Sequence, residues 1–429
     1  MVLRMDRIPY GVGQMSARVW LAIAVLLGVL AQGVNALYTQ LTEGLVVTGL
    51  RDIGTMGGSS WGLYIAFDVY FVGVSFAGIT TAALVRLLNL RHLRAVSRMA
   101  EVLTIISLIL AAFSVLPDLG QPLRGIFHLL KYARPQSPFF GTFTMVIAGY
   151  LFASLVYFFL DGRRDAALCA RRPGRLQWFY RLWASGYRDT PAERERHQRV
   201  SFWLSLAILP LLVIAHSTLG FVFGLQVGRP GWFSALQAPA FVILAGVSGV
   251  GLLIVIAAVV RRTLAAQDRL PPDVFRWLGN FLMVLTAAYI YFMLVDWLTA
   301  TYAAPLHESR VTQAIFFGRY ARIYWASVAA LLLAFYLLLR QFLTGHTSIP
   351  VIVLSGILVN VAAVGKRLLI VVPSQTHGAL LPYPPGTYSP TWVEYSIIGG
   401  LVSLGILLYV LFVKVFPIIE LPEEDGGDG

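Results

Sequence analysis

The stretch FVILAGVSGVGLLIVIAAVV, Phe241 to Val260, runs for twenty residues without a charge and stops at Arg261-Arg262. A helix needs roughly 20 mostly apolar residues to cross the hydrocarbon core of a bilayer, so this stretch reads as a membrane span ending at a polar surface. Working outward, similar windows lie near 17–37, 61–85, 99–116, 141–160, 201–224, 236–260, 279–302, 323–340, 349–372 and 396–416. The chain has 429 residues, 58% hydrophobic and 13% charged, a composition that no soluble domain keeps in solution. The expectation is an all-α polytopic membrane protein of about ten transmembrane helices. Upstream of the first window there is no small-residue cleavage site, so it is expected to be retained.

A net charge of +12 could suggest nucleic acid, but the basic residues cluster in alternate loops. Arg86, Arg91, Arg94 and Arg98 follow the second window, ten arginines lie between Asp161 and Val200, and Arg261, Arg262, Arg269 and Arg276 follow the sixth. Such excess marks cytoplasmic loops and places both termini in the cytoplasm of a bacterial inner membrane; anionic lipid, and no nucleic acid, is the expected contact. Cys169 is the sole cysteine, which rules out an internal disulfide, an iron–sulfur cluster and c-type haem. Of seven histidines only His216 falls well inside a window, so no b-type haem and no metal site is expected.

Internal similarity suggests a repeat. Gly73-Val74-Ser75 after Trp61 matches Gly246-Val247-Ser248 after Trp232, Tyr132-Ala133-Arg134 matches Tyr320-Ala321-Arg322, and Asp118 matches Asp296. Four spans separate each pair, which keeps orientation and predicts a parallel repeat. The division expected is 1–60 for the tail, first helix and loop, 61–224 and 225–372 for two four-helix units, 373–417 for a Pro-rich loop and last helix, and 418–429 for an acidic tail.

The loops opposite the arginines are rich in Pro, Gly and aromatic residues: Leu116 to Pro122, Ser137-Pro138, Gln226 to Trp232, Tyr302 to Arg322, and Val372 through Trp392. Partly ordered loops suit a docking surface, and Gln121, Arg229, Trp232, Tyr383 and Trp392 are the residues expected to meet a partner. Ionisable residues within the windows cost roughly 2.5–3.5 kcal/mol each at a helix centre and read by default as functional. They are Asp68, His216, Asp296, Lys366 and Arg367, most of them in the outer half, and they form the expected proton-transfer set. Glu101 lies near the arginines and is expected to form a solvated or snorkelling pair.

In order and spacing, these features resemble the NrfD/polysulfide reductase membrane-subunit family, which includes the membrane subunits of alternative complex III and of sulfur-metabolism complexes. The marks are Trp61-Gly62-Leu63-Tyr64 with Asp68, Asp118-Leu119-Gly120-Gln121-Pro122 with His128, Gly228-Arg229-Pro230-Gly231-Trp232, Arg367 before Val371-Val372-Pro373, and Tyr388 to Glu394. Gly120-Gln121-Pro122 departs from a commoner Gly-Arg-Pro form. The resemblance implies a subunit that binds quinol or menaquinone near the extracytoplasmic surface and holds no redox centre of its own. It also implies an iron–sulfur, ferredoxin-like partner with further catalytic or cytochrome subunits. Tyr64, Asp68, Asp118 and His128 are its candidate quinone-binding residues, and proton translocation is a possible extension. Two other classes compete: a secondary transporter, which would show paired mid-span breaks such as one at Pro210, and a non-catalytic membrane anchor.

Overall fold

The computed structural model describes residues 10–54, 60–78, 85, 87–132, 136, 143–302, 305–378 and 385–421. Its helices are α1 (Ala17–Glu43), α2 (Leu63–Val74), α3 (Arg94–Asp118), α4 (Pro122–Tyr132), α5 (Phe143–Ala170), α6 (Gln177–Ala184) and α7 (Pro191–Gly224). They continue as α8 (Gln237–Thr263), α9 (Pro272–Tyr302), α10 (Leu306–Phe316), α11 (Ala321–Thr344), α12 (Ile349–Val371), α13 (Pro373–Thr376) and α14 (Trp392–Val415). Among the described residues, nine helices are long and apolar enough to cross a membrane, with α12 and α13 counted together as one. Of the expected second span, the described part is an apolar helix over Leu63–Gly78; residues 79–84 and 86 lie outside the described residues.

Helix ends follow local chemistry. Thr190 accepts from the Glu193 amide while Glu193 accepts from the Thr190 amide, a capping box with Pro191 in the first turn that starts α7 ten residues before its apolar window. Thr391 and Glu394 do the same for α14. Helix α7 continues through Pro210 to Gly224, so the break that a transporter would place there is not found.

Helices α2, α3, α5 and α7 pack in sequence, and α7 returns to α2; α8, α9, α11 and α12 pack in the same cyclic order, and α12 returns to α8. Helices α1 and α14 pack on each other, and α14 packs on α3. These are the two four-helix bundles, flanked by first and last helices, that the parallel repeat predicted. The bundles meet through α2 against α8, with α2–α12 and α8–α7 as matching side contacts. At the centre of that seam the repeated small residues touch: a Cβ added to Gly249 would lie 2.7 Å from the Ala77 amide nitrogen. Each bundle also carries an eleven-residue helix at the same place, α4 after α3 and α10 after α9.

Both described ends lie on the arginine-rich face, where the Gly13 amide donates to the Lys414 carbonyl (2.9 Å) and Arg269 donates to the Tyr10 hydroxyl (3.1 Å). Arg98, expected in a loop, is inside α3 and 1% exposed. It reaches Asp165 at 2.6 Å and Asp161 at 3.6 Å, because α3 extends a turn beyond its apolar window and brings the guanidinium against α5. Glu101, expected to be solvated, is buried and accepts a hydrogen bond from Ser97 (3.3 Å).

Candidate functional site

On the face opposite the arginines, four distant segments are tied together by polar side chains. Glu394, fully buried, accepts from the Gly49 amide (2.7 Å) and the Thr391 amide (3.0 Å), and takes the Tyr388 hydroxyl at 2.5 Å. Tyr388 in turn accepts from the Leu63 amide (2.6 Å), so the loop before α14 holds the first turn of α2. Burial and the Glu394 charge hold the Tyr388 hydroxyl well above its ordinary range, so it remains a donor. Gln375 pins the residue before that turn: its amide donates to the Trp61 and Val371 carbonyls and accepts from the Trp61 amide, all at 2.7 Å. Trp61 stacks on Trp232, whose ring nitrogen donates to the Ile370 carbonyl (2.6 Å).

Under this lid lies the first group of ionisable residues. Tyr64 and Asp68 are one turn apart on α2 and share its buried face, because residues four apart stack on a helix. The Tyr64 hydroxyl donates to Gln40 of α1 (2.5 Å), and the Gln40 amide donates to the Pro117 carbonyl (2.7 Å), which brings the end of α3 and Asp118 to the same place. Asp118 lies within electrostatic range of Asp68 and Glu394. Its Oδ1 is buried and has no hydrogen-bond partner among the described residues, and Asp68, 5% exposed, forms no ion pair there. Carboxylates left unpartnered in a membrane-spanning bundle, beside a phenol, can accept and pass protons.

A second feature sits deeper. Helix α2 turns at Ser75 and resumes over Phe76–Gly78, which frees carbonyls inside the bundle. Side chains satisfy them: Thr104 (2.8 Å) and Tyr150 (2.9 Å) donate to the Ser75 carbonyl. His216 lies between the Leu212 carbonyl (2.8 Å, Nδ1) and the Val72 carbonyl (2.9 Å, Nε2). A neutral ring can donate to only one of the two carbonyls.

The second bundle brings together Asp296 of α9 with Lys366 and Arg367 of α12. Arg367 is 2% exposed, its guanidinium stacks over Phe241 at 4.2 Å, and its Nη1 has no partner among the described residues. His128 is exposed on α4. Of the residues expected to meet a partner, Gln121 and Trp392 are exposed, and Arg229 lies over the Trp232 ring at 5.5 Å. Trp232 is a correction: it is 2% exposed and anchors the lid from within. Tyr383, Arg86, Ser137, Pro138 and most of the acidic tail lie outside the described residues. Among the described residues no group of three or more His, Cys, Asp or Glu could hold a metal ion.

The pattern of the family "Polysulphide reductase, NrfD" matches residues 52–379. The chain belongs to the NrfD/polysulphide reductase family. A Halobacterium salinarum protein that carries the name of a dimethyl sulfoxide reductase membrane subunit is 29% identical over 96% of this chain and 95% of its own length. A selenate reductase subunit of Mesobacillus selenatarsenatis is 27% identical over 91% and 92%. The Hdr-like menaquinol oxidoreductase integral membrane subunit of Archaeoglobus fulgidus is 23% identical over 84% and 85%. The NrfD match takes in Tyr64, Asp68 and Asp118 but not Gln40 or Glu394, which come from the flanking helices. Sequence reasoning missed Gln40, Thr104 and Tyr150, and used Glu394 only as part of a motif. The Thr391-x-x-Glu394 capping spacing was the one signal that marked Glu394.

Proposed function

We propose that this chain is the quinone-reactive membrane subunit of an oxidoreductase complex, exchanging electrons between the quinone pool and an iron–sulfur partner docked on the lid face. Membership of the NrfD family and relatives named as reductase or menaquinol oxidoreductase membrane subunits support a membrane subunit of a redox complex. The observation that carries the quinone reading is the pair of carboxylates Asp68 and Asp118, which form no ion pair among the described residues, beside Tyr64 beneath that lid. Oxidising a quinol to a quinone releases two electrons and two protons. In this reading Asp68 and Asp118 accept the protons, Tyr64 orients the ring oxygen, and the electrons leave through the lid to the partner. The arginine-rich face is then cytoplasmic and the lid extracytoplasmic. The lid is held by hydrogen bonds before any partner arrives, so little ordering entropy is lost on docking through Gln121, Arg229 and Trp392.

The interruption of α2 at Ser75 is a feature that a transporter would share. A transporter built on parallel repeats would break α8 at the corresponding place, and α8 is continuous from Gln237 to Thr263. The test is a titration of the detergent-solubilised complex with a fluorescent quinone-site inhibitor. Saturable quenching at one site, displaced by menaquinol and weakened at least tenfold by Asp68→Asn and Asp118→Asn, is the expected result. Saturable quenching unchanged by both substitutions would place the quinone elsewhere, and no saturable quenching would remove the quinone reading.

A further inference from the structure

The second bundle contains a small cleft between α8, α9 and α12. Phe241, Tyr289 and Phe292 supply aromatic walls, while Asp296, Lys366 and Arg367 supply the charges. Two cations against one carboxylate leave this lining with a net positive charge inside a membrane-spanning bundle, where an uncompensated charge is costly. Arg367 is buried under Phe241 and lines the cleft with an Nη1 that has no partner among the described residues. Asp296 and Lys366 interact through space without a contact ion pair, and the Lys366 ammonium lies over the Tyr324 ring at 5.3 Å. The lining therefore presents an N–H donor of Arg367 beside aromatic side chains, which suits a flat ring whose oxygen accepts from Arg367.

The repeat supplies an independent line of argument. Asp296 near the end of α9 corresponds to Asp118 at the end of α3, each followed by an eleven-residue helix, and α8 corresponds to α2. The cleft thus occupies, in the second bundle, the place that the Tyr64–Asp68–Asp118 group occupies in the first. The two differ in charge, acidic in one and basic in the other.

We propose that the second bundle holds a separate binding site for a quinone or quinol ring, with Arg367, backed by Phe241, donating to a ring oxygen, Tyr289 and Phe292 beside the ring, and Asp296 at the mouth. This rests on the reading that the protein handles quinones, but it concerns a different place in the fold. A positively charged site favours the oxidised or anionic ring oxygen, whereas the acidic site of the first bundle favours proton removal from the quinol.

The experiment is photolabelling of the purified complex with an azidonaphthoquinone, followed by peptide mapping. Label is expected in two places, on peptides near Tyr64 or Asp118 and on peptides containing Phe241, Tyr289 or Phe292. Arg367→Gln should lower the second label at least tenfold and leave the first within twofold, and Asp68→Asn should do the reverse. Should Arg367→Gln fail to fold, Asp296→Asn, at an exposed position, should lower the second label about threefold with unchanged melting. Label confined to the first bundle overturns this inference and leaves the proposed function standing. Label confined to the second bundle upholds the inference and overturns the first-bundle site, and label at neither overturns both. A second label that excess phosphatidylglycerol removes and excess menaquinone does not would assign the cleft to acidic phospholipid and overturn the proposal.

Discussion

Asp68 and Asp165 are both buried carboxylates in spanning helices, and their surroundings predict opposite responses to the same substitution. Asp165 accepts from Arg98 at 2.6 Å and from the Leu421 amide at 3.1 Å, so it is one half of a paired and hydrogen-bonded charge. Breaking such a pair leaves Arg98 with Asp161 at 3.6 Å and the charges of Glu420 and Glu101, and costs roughly 3–5 kcal/mol. At the usual entropy of unfolding per residue, that is a fall in Tm of roughly 3–6 °C for Asp165→Asn. Asp68 has no ion pair to lose among the described residues. A charge inside a span costs roughly 2.5–3.5 kcal/mol, and an unpartnered amide about 1–3 kcal/mol. Asp68→Asn should therefore leave Tm unchanged or raise it by up to about 3 °C. Activity should move the other way, since a lost proton acceptor costs about 10²-fold or more in rate. The assay pairs intrinsic tryptophan melting, which the ten Trp residues permit, with menaquinol oxidation by the complex. A fall of more than 3 °C for Asp68→Asn, or full activity in that variant, would refute the reasoning.

Other outcomes follow from the lid and the seams. Tyr388→Phe strands the Leu63 amide and one oxygen of Glu394, so melting should fall by roughly 2–4 °C, while mass-spectrometric hydrogen exchange should rise at residues 60–64. Burial depresses the His377 pKa, partly offset by a backbone hydrogen bond at Pro373, so the unfolded chain binds the proton more readily than the folded one. Stability should then fall as pH drops below about 6.5, and His377→Asn should flatten that part of a melting-versus-pH curve. Gly33 of α1 faces Gly400 of α14, where a Cβ would lie 2.9 Å from the Gly400 Cα, so Gly33→Val should separate the helix pair and expose α14 to cysteine-scanning reagents.

Hydropathy made the bundle legible because burial in lipid requires long apolar runs, and those runs survive as helices α1, α3, α5, α7, α8, α9, α11, α12 and α14. The turn at Ser75 in the second span was not legible, because the groups that meet the carbonyls around it lie far along the chain: Thr104, Tyr150 and His216. Helices α3 and α7 begin earlier than their apolar windows because charged and capping residues extend a helix past the hydrocarbon. Helices α4, α6 and α10 lie in segments read as loops, where amphipathic turns are hidden by Pro, Gly and charge. Asp68 and Asp118 were visible as ionisable residues in or beside apolar runs. Gln40 was not, since one amide in α1 says nothing until it meets Tyr64 and Pro117. Glu394 and Gly49 are 345 residues apart, a contact that no local pattern reports.

The most direct test of the central claim is a cryo-electron-microscopy structure of the complex, with its partner subunits, in lipid nanodiscs supplied with menaquinone. The account predicts ring density between Tyr64, Asp68 and Asp118, and an iron–sulfur subunit seated on the lid formed by Gly49, Trp61, Tyr388 and Glu394. Partner density on the arginine-rich face, with no ring density at Asp68 and Asp118, would contradict it.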